Sequence, residues 1–178
     1  MKTFFTLRTA TRTLLLAVLT VLSVSSVLAQ IYQHNFGTTS ITTKPYTGTP
    51  GTFDANLSSS SWTTSAASFG GFGGSSGASL SLANSSGTPT FTLTFNVASG
   101  FQLSVTSFNF WRVRSGTGAQ NWAMTINGTS VGSGTIPSTG ATLGTTTVSN
   151  AITGLTGTIT VVYTMSGASG SGTARLDD

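Results

Sequence analysis

The chain has 178 residues, a formal charge of +4 and no cysteine, which allows one domain, with or without a targeting segment, and excludes a disulfide framework. Lys2, Arg8 and Arg12 lie at its start, so the remainder sets only Lys44, Arg112, Arg114 and Arg175 against Asp54, Asp177 and Asp178. That near-neutral remainder lacks the clustered Lys and Arg with which a nucleic-acid partner's phosphates are neutralised.

The first element is a leader. Lys2, Arg8 and Arg12 precede an apolar run over residues 14–24, and Ser25, Ser26, Val27, Leu28 and Ala29 follow. A basic start, a short apolar stretch and small residues at a cleavage site make a secretory signal peptide, with Val27 and Ala29 fitting the peptidase and Gln30 the first residue left. The apolar run is shorter than the roughly 20 residues that span a bilayer. Residues 1–29 are therefore expected to be removed, the mature protein to be secreted or at the cell surface with no membrane span, and residues 30–178 to form the domain. A cysteine-free exported domain points to a bacterial source.

Beyond the leader, Gly, Ser and Thr interrupt every stretch with helical spacing, and period-two alternation recurs instead. Residues 31–36 read as a first strand. A loop rich in Thr, Gly and Pro leads to a short strand at 61–64. The glycine run at 69–74 reads as a mobile loop, and residues 78–83 form a strand with Leu80 and Leu82 on one face. Residues 90–97 alternate most cleanly, with Phe91, Leu93, Phe95 and Val97 opposite Thr90, Thr92, Thr94 and Asn96. Strands over 103–114, 119–127, 129–136, 141–148 and 155–165 follow, and Asn127-Gly128 is a hairpin signal. The pattern predicts an all-β, antiparallel β-sandwich. A β-solenoid is the alternative, although no fixed repeat period is visible. The strand beginning at 172 breaks off at Asp178, so the domain is expected to be C-terminally incomplete, a fragment of a longer product.

Residues 103–122, LSVTSFNFWRVRSGTGAQNW, resemble the pattern L-x-L-T-S-L-S-F-x-x-R-R-S-x-T-G-P-x-x-W of jelly-roll domains in bacterial surface proteins, sorted by PEP-CTERM signals or exported by type IX secretion. Residues 172–178, GTARLDD, resemble their closing strand G-T-F-R-L-D-D-F. Ala119 replaces the usual Pro, and Ala174 the usual aromatic residue. The resemblance covers most of the mature chain and implies a jelly-roll sandwich in a surface or adhesion setting, often ahead of a sorting domain. Carbohydrate-binding jelly rolls commonly hold a structural calcium between the first strand and an acid on the last, which makes Asp177 and Asp178 candidate ligands for a hard cation.

Catalytic chemistry has little to draw on. Asp54, Asp177 and Asp178 are the only acids, and neighbouring strand residues face opposite sides, so Asp177 and Asp178 cannot form one glycosidase dyad. His34 is the only histidine, and no nucleophile-elbow motif accompanies it; zinc lacks ligands. Aromatic faces that stack on sugars are available at Tyr32, Tyr46, Trp62, Trp111, Trp122 and Tyr163, with Trp111 and Trp122 expected in the core and Tyr46 and Trp62 as ligand contacts. Arg112 and Arg114 flank Val113 and so share a face, where they either grip an anionic or hydroxylated ligand or bridge sheet edges. Asn56, Asn84 and Asn127 head glycosylation sequons, a short motif that carries little meaning in bacteria. The expectation is a non-catalytic extracellular surface or adhesion module that binds carbohydrate, with no nucleic-acid partner. The alternative is an accessory domain of a larger secreted hydrolase or nuclease whose catalytic domain lies beyond Asp178.

Overall fold

A computed structural model describes residues 30–144 and 146–177. The leader, the cleavage position at Ala29 and the candidate ligand Asp178 lie outside these residues. The described chain is all-β, without a helix, and its sheets are antiparallel.

Its framework is a five-stranded sheet made from β3 (Leu57–Thr64), β5 (Thr90–Val97), β8 (Asn121–Ile126), β9 (Thr129–Thr135) and β12 (Gly157–Ser166), in the order β3-β5-β12-β8-β9. In β5 the expected alternation is realised: Phe91, Leu93, Phe95 and Val97 are buried, and the Thr residues between them are half-exposed. β12 pairs with β5 residue for residue from Gly157 opposite Val97 to Thr164 opposite Thr90. Paired residues share a face, so Ile159 and Tyr163 of β12 continue the apolar side of β5, and Trp122, Met124 and Ile126 extend it across β8. The β8–β9 hairpin turns at Asn127 and Gly128, both at positive φ (46° and 80°). That is the conformation a two-residue turn needs to match strand twist, and the Asn127 side chain anchors it by accepting from the Thr160 N–H.

The second layer contains β4 (Leu80–Leu82), β6 (Leu103–Phe108), β7 (Trp111–Arg114), β10 (Ala141–Thr142), β11 (Thr146–Leu155) and β13 (Ala174–Asp177). One set runs β10-β7-β13-β4, and β11 pairs with β6. The Leu143 N–H donates to the Phe110 carbonyl at 2.7 Å, which carries the pairing across the break between β6 and β7. That break interrupts the continuous strand expected over 103–114, because Phe110 turns inward. Its ring meets Trp122 at 5.0 Å and Tyr163 at 5.3 Å, both edge-to-face. These are side chains of the five-stranded sheet, so the rings join the two layers into a sandwich-like arrangement over one apolar core.

Other elements also differ from expectation: the strand expected over 141–148 is divided, with β10 ending at Thr142 and β11 running from Thr146 to Leu155. The first strand, β1 (Tyr32–Gln33), pairs only with β2 (Thr52–Phe53), because Phe36 and Gly37 adopt positive φ and turn the chain. β3 is longer than expected and carries a bulge between Ser58 and Ser61, with Ser59 at φ 62°. The glycine run expected to be mobile is instead pinned to the outer side of the second layer. Gly70 N–H donates to the Ser81 carbonyl, Phe72 N–H to Ser81 Oγ, Ser79 Oγ to the Phe72 carbonyl, and Ser75 N–H to Asp177 Oδ2 at 2.7 Å. Arg175 lies over the Phe72 ring, 5.2 Å from its centroid. This strap buries Ser79, Ser81 and Asp177. Asp177→Ala leaves the Ser75 N–H without its acceptor and is expected to cost about 1–3 kcal/mol, read as a lower urea midpoint with early proteolysis inside the strap; an unchanged midpoint would contradict the pinning.

Candidate functional site

Two of the sequence candidates, Tyr46 and Trp62, come together at one end of the five-stranded sheet. Their backbones exchange two hydrogen bonds of 2.8 Å, an added bridge on the outer edge of β3. Trp62 is only 8% exposed. Its Nε1 donates to the Tyr32 hydroxyl at 2.9 Å, and its ring packs edge-on against Phe36 at 5.7 Å. Tyr32 in turn stacks on Phe95 and hydrogen-bonds Ser60 Oγ. Trp62 is thus a core residue with no free face for a sugar. Tyr46 is half-buried, with its ring near His34 and Phe36.

The segment from Tyr46 to Pro50 contributes to two surface grooves. One, of about 270 Å³, is lined by residues 36–43 and Tyr46. The other, of about 450 Å³, is lined by Thr47, Gly48, Thr49, Pro50, Phe53, Ser59, Ser60 and Ser61. The larger one lies within the roughly 300–1,000 Å³ range of small-molecule sites. Among the described residues, no side chain lining it is charged. Its walls offer hydroxyls, which both donate and accept, and its apolar surface comes from Pro50 and from Phe53, whose ring is braced edge-on by Tyr32 at 5.9 Å. Hydroxyl walls beside an apolar patch match the two surfaces of a sugar ring. Sequence reading missed this groove, because its residues belong to a Thr- and Pro-rich loop and a serine run that nothing marks as neighbours.

Arg112 and Arg114 are paired with Leu176 and Ala174 of β13 and share their inward side. Their guanidinium groups cap backbone carbonyls: Arg112 donates to Thr135 and Ala141, Arg114 to Ile136, Ser115 and Gly116. Of the two roles expected for this pair, the geometry is that of a bridge, tying β7 to the end of β9 in the other layer. Trp122 is buried as expected, and Trp111 is half-buried.

The titratable candidates are held by separate partners. Asp54 accepts from the Asn56 N–H and side-chain amide, whereas Asp177 is 2% exposed beneath the strap. His34 is buried with both nitrogens engaged: Nδ1 accepts from the Phe36 N–H at 3.0 Å and Nε2 donates to the Gly48 carbonyl at 2.9 Å. Burial lowers its pKa, and neither nitrogen is placed to take a proton from a nucleophile. Among the described residues no three His, Cys, Asp or Glu side chains gather as a metal site. The calcium expectation has Asp177 as its only described carboxylate, and Oδ2 of that group already accepts an N–H. No described helix is long and apolar enough to cross a membrane.

Comparisons with protein-family models, with curated proteins and with solved structures give no match to this chain.

Proposed function

We propose that the chain is a non-catalytic extracellular module of a bacterial surface, a jelly-roll sandwich that holds a neutral glycan in the groove beside β2 and β3. The observation that supports this reading is the charge-free lining of that groove, with serine and threonine hydroxyls around Phe53 and Pro50. An anionic ligand would find no cation among the described lining residues, and an uncharged polyol finds donors, acceptors and an apolar surface. Surface exposure and adhesion rest on the leader and on the jelly-roll resemblance. The site suggested by the sequence shifts in this proposal from Arg112, Arg114 and Trp62 to the groove, with Tyr46 at its border. A calcium ion at Asp177 and Asp178 enters only as a structural ion, and equal melting temperatures in calcium and in chelator would remove it.

Retention of the purified chain on immobilised xylan, mannan and β-glucan tests the reading. Phe53→Ala is expected to weaken retention about tenfold, equivalent to about 1.4 kcal/mol, with the fold intact by circular dichroism. Arg112→Ala is expected to lower the melting temperature and leave retention unchanged. Absence of retention on all three supports, or retention indifferent to Phe53→Ala, sinks the glycan site.

A further inference from the structure

The wall of the groove hangs from one imidazole. His34, 3% exposed, holds two separate stretches of backbone, with the Gly48 carbonyl on Nε2 and the Phe36 N–H on Nδ1. Gly48 belongs to the groove lining. Phe36 sits at φ 50°, a region that a bulky residue occupies only when its surroundings enforce it. The Tyr46 hydroxyl adds a long 3.4 Å bond to the Phe36 carbonyl, so His34, Phe36, Tyr46 and Gly48 form one linked unit. With one nitrogen donating and the other accepting, the ring is a neutral imidazole. A second proton would sit on Nδ1 and face the Phe36 N–H, replacing a hydrogen bond with two opposed donors.

We propose that His34 is a proton-operated latch, so that acidification frees the Phe36 and Gly48 segments from the interior and weakens ligand binding in the groove. The ligand half of this inference rests on the glycan reading; the latch itself does not. Among the described residues, the rings facing it are those of Tyr32, Phe36 and Tyr46, and burial raises both tyrosines further from neutrality. Lys44 is engaged by the Thr64 and Ala66 carbonyls, and Asp54 by Asn56. Burial, opposed by the Gly48 bond, sets His34 below its ordinary value of 6.5. The released form therefore takes up a proton near pH 6.5, at a higher pH than the latched form does. The latched state is fully favoured above that value and loses ground as pH falls below it.

The test follows the Phe36 and Gly48 amide resonances from about pH 8 to about pH 4.5, together with retention on xylan, mannan and β-glucan at both ends of that range. Both amides are expected to inflect below about pH 6.5 while those of β5 and β12 stay fixed, and retention to fall at least about tenfold. His34→Gln keeps a donor and an acceptor without titrating and is expected to abolish the inflection; the unmodified chain alone decides the matter if that variant does not fold. A flat titration of both amides overturns the latch whatever the supports retain. Inflection without retention at neutral pH supports the latch and sinks the glycan reading. Equal retention at the two ends overturns the coupling between them.

Discussion

Phe110→Ala is expected to destabilise the fold by about 3–5 kcal/mol, the range for removing a buried aromatic side chain. The ring is the hub between the layers, stacked against Phe108 and set edge-on to Trp122 and Tyr163. Its loss removes apolar burial and leaves a cavity that two antiparallel sheets cannot close by sliding. Domains of this size have only about 5–15 kcal/mol of total stability, so a large share would go with one side chain. Urea unfolding followed by tryptophan emission measures the change. A loss under about 1 kcal/mol would mean that the layers are not joined through this ring.

Gly172→Ala is the second large effect expected, at about 3 kcal/mol, the upper part of the range for forced overpacking. A Cβ at Gly172 would collide with the Gly118 backbone nitrogen and Cα, and one at Gly118 with the Thr173 carbonyl. Both obstacles are backbone, which cannot rotate aside as a side chain would. Gly116 provides the control, because a Cβ there meets nothing within 4 Å. Thermal melts of Gly172→Ala and Gly116→Ala should differ sharply, and equal melting temperatures would show that the two segments do not approach as closely as described.

Much of the architecture is legible in the sequence, for an identifiable reason. The Phe-Thr alternation of β5 and the Asn127-Gly128 turn are local signals, and a strand buried on one side obeys them. What escaped depends on partners far along the chain or on backbone atoms. The strap reads as mobile by its glycine content, yet its anchors are Ser81 and Asp177, the latter 102 positions from Ser75. Arg112 and Arg114 share a face as their spacing implied, but their acceptors are main-chain carbonyls, which every residue carries and no side-chain pattern marks. Trp62 has the right chemistry for a sugar platform and is instead covered by Phe36 and Tyr32. The groove depends on Phe53 reaching the serine run of β3, a meeting set by the β1–β2 pairing and the bulge.

The position of β13 bears on how the fold is reached. It lies between β4 and β7 in its sheet although it follows both in the chain, and Leu80 and Arg112 find their shared neighbour only in Leu176. A ribosome delivers the polypeptide N-terminus first, so this sheet has to wait, split, until its middle is delivered. Assembly is then governed by a long-range closing event rather than by successive hairpins, the regime in which all-β chains take about milliseconds to seconds. Throughout that interval the apolar side of the five-stranded sheet stays partly uncovered, and handling of the nascent chain becomes part of what decides its yield.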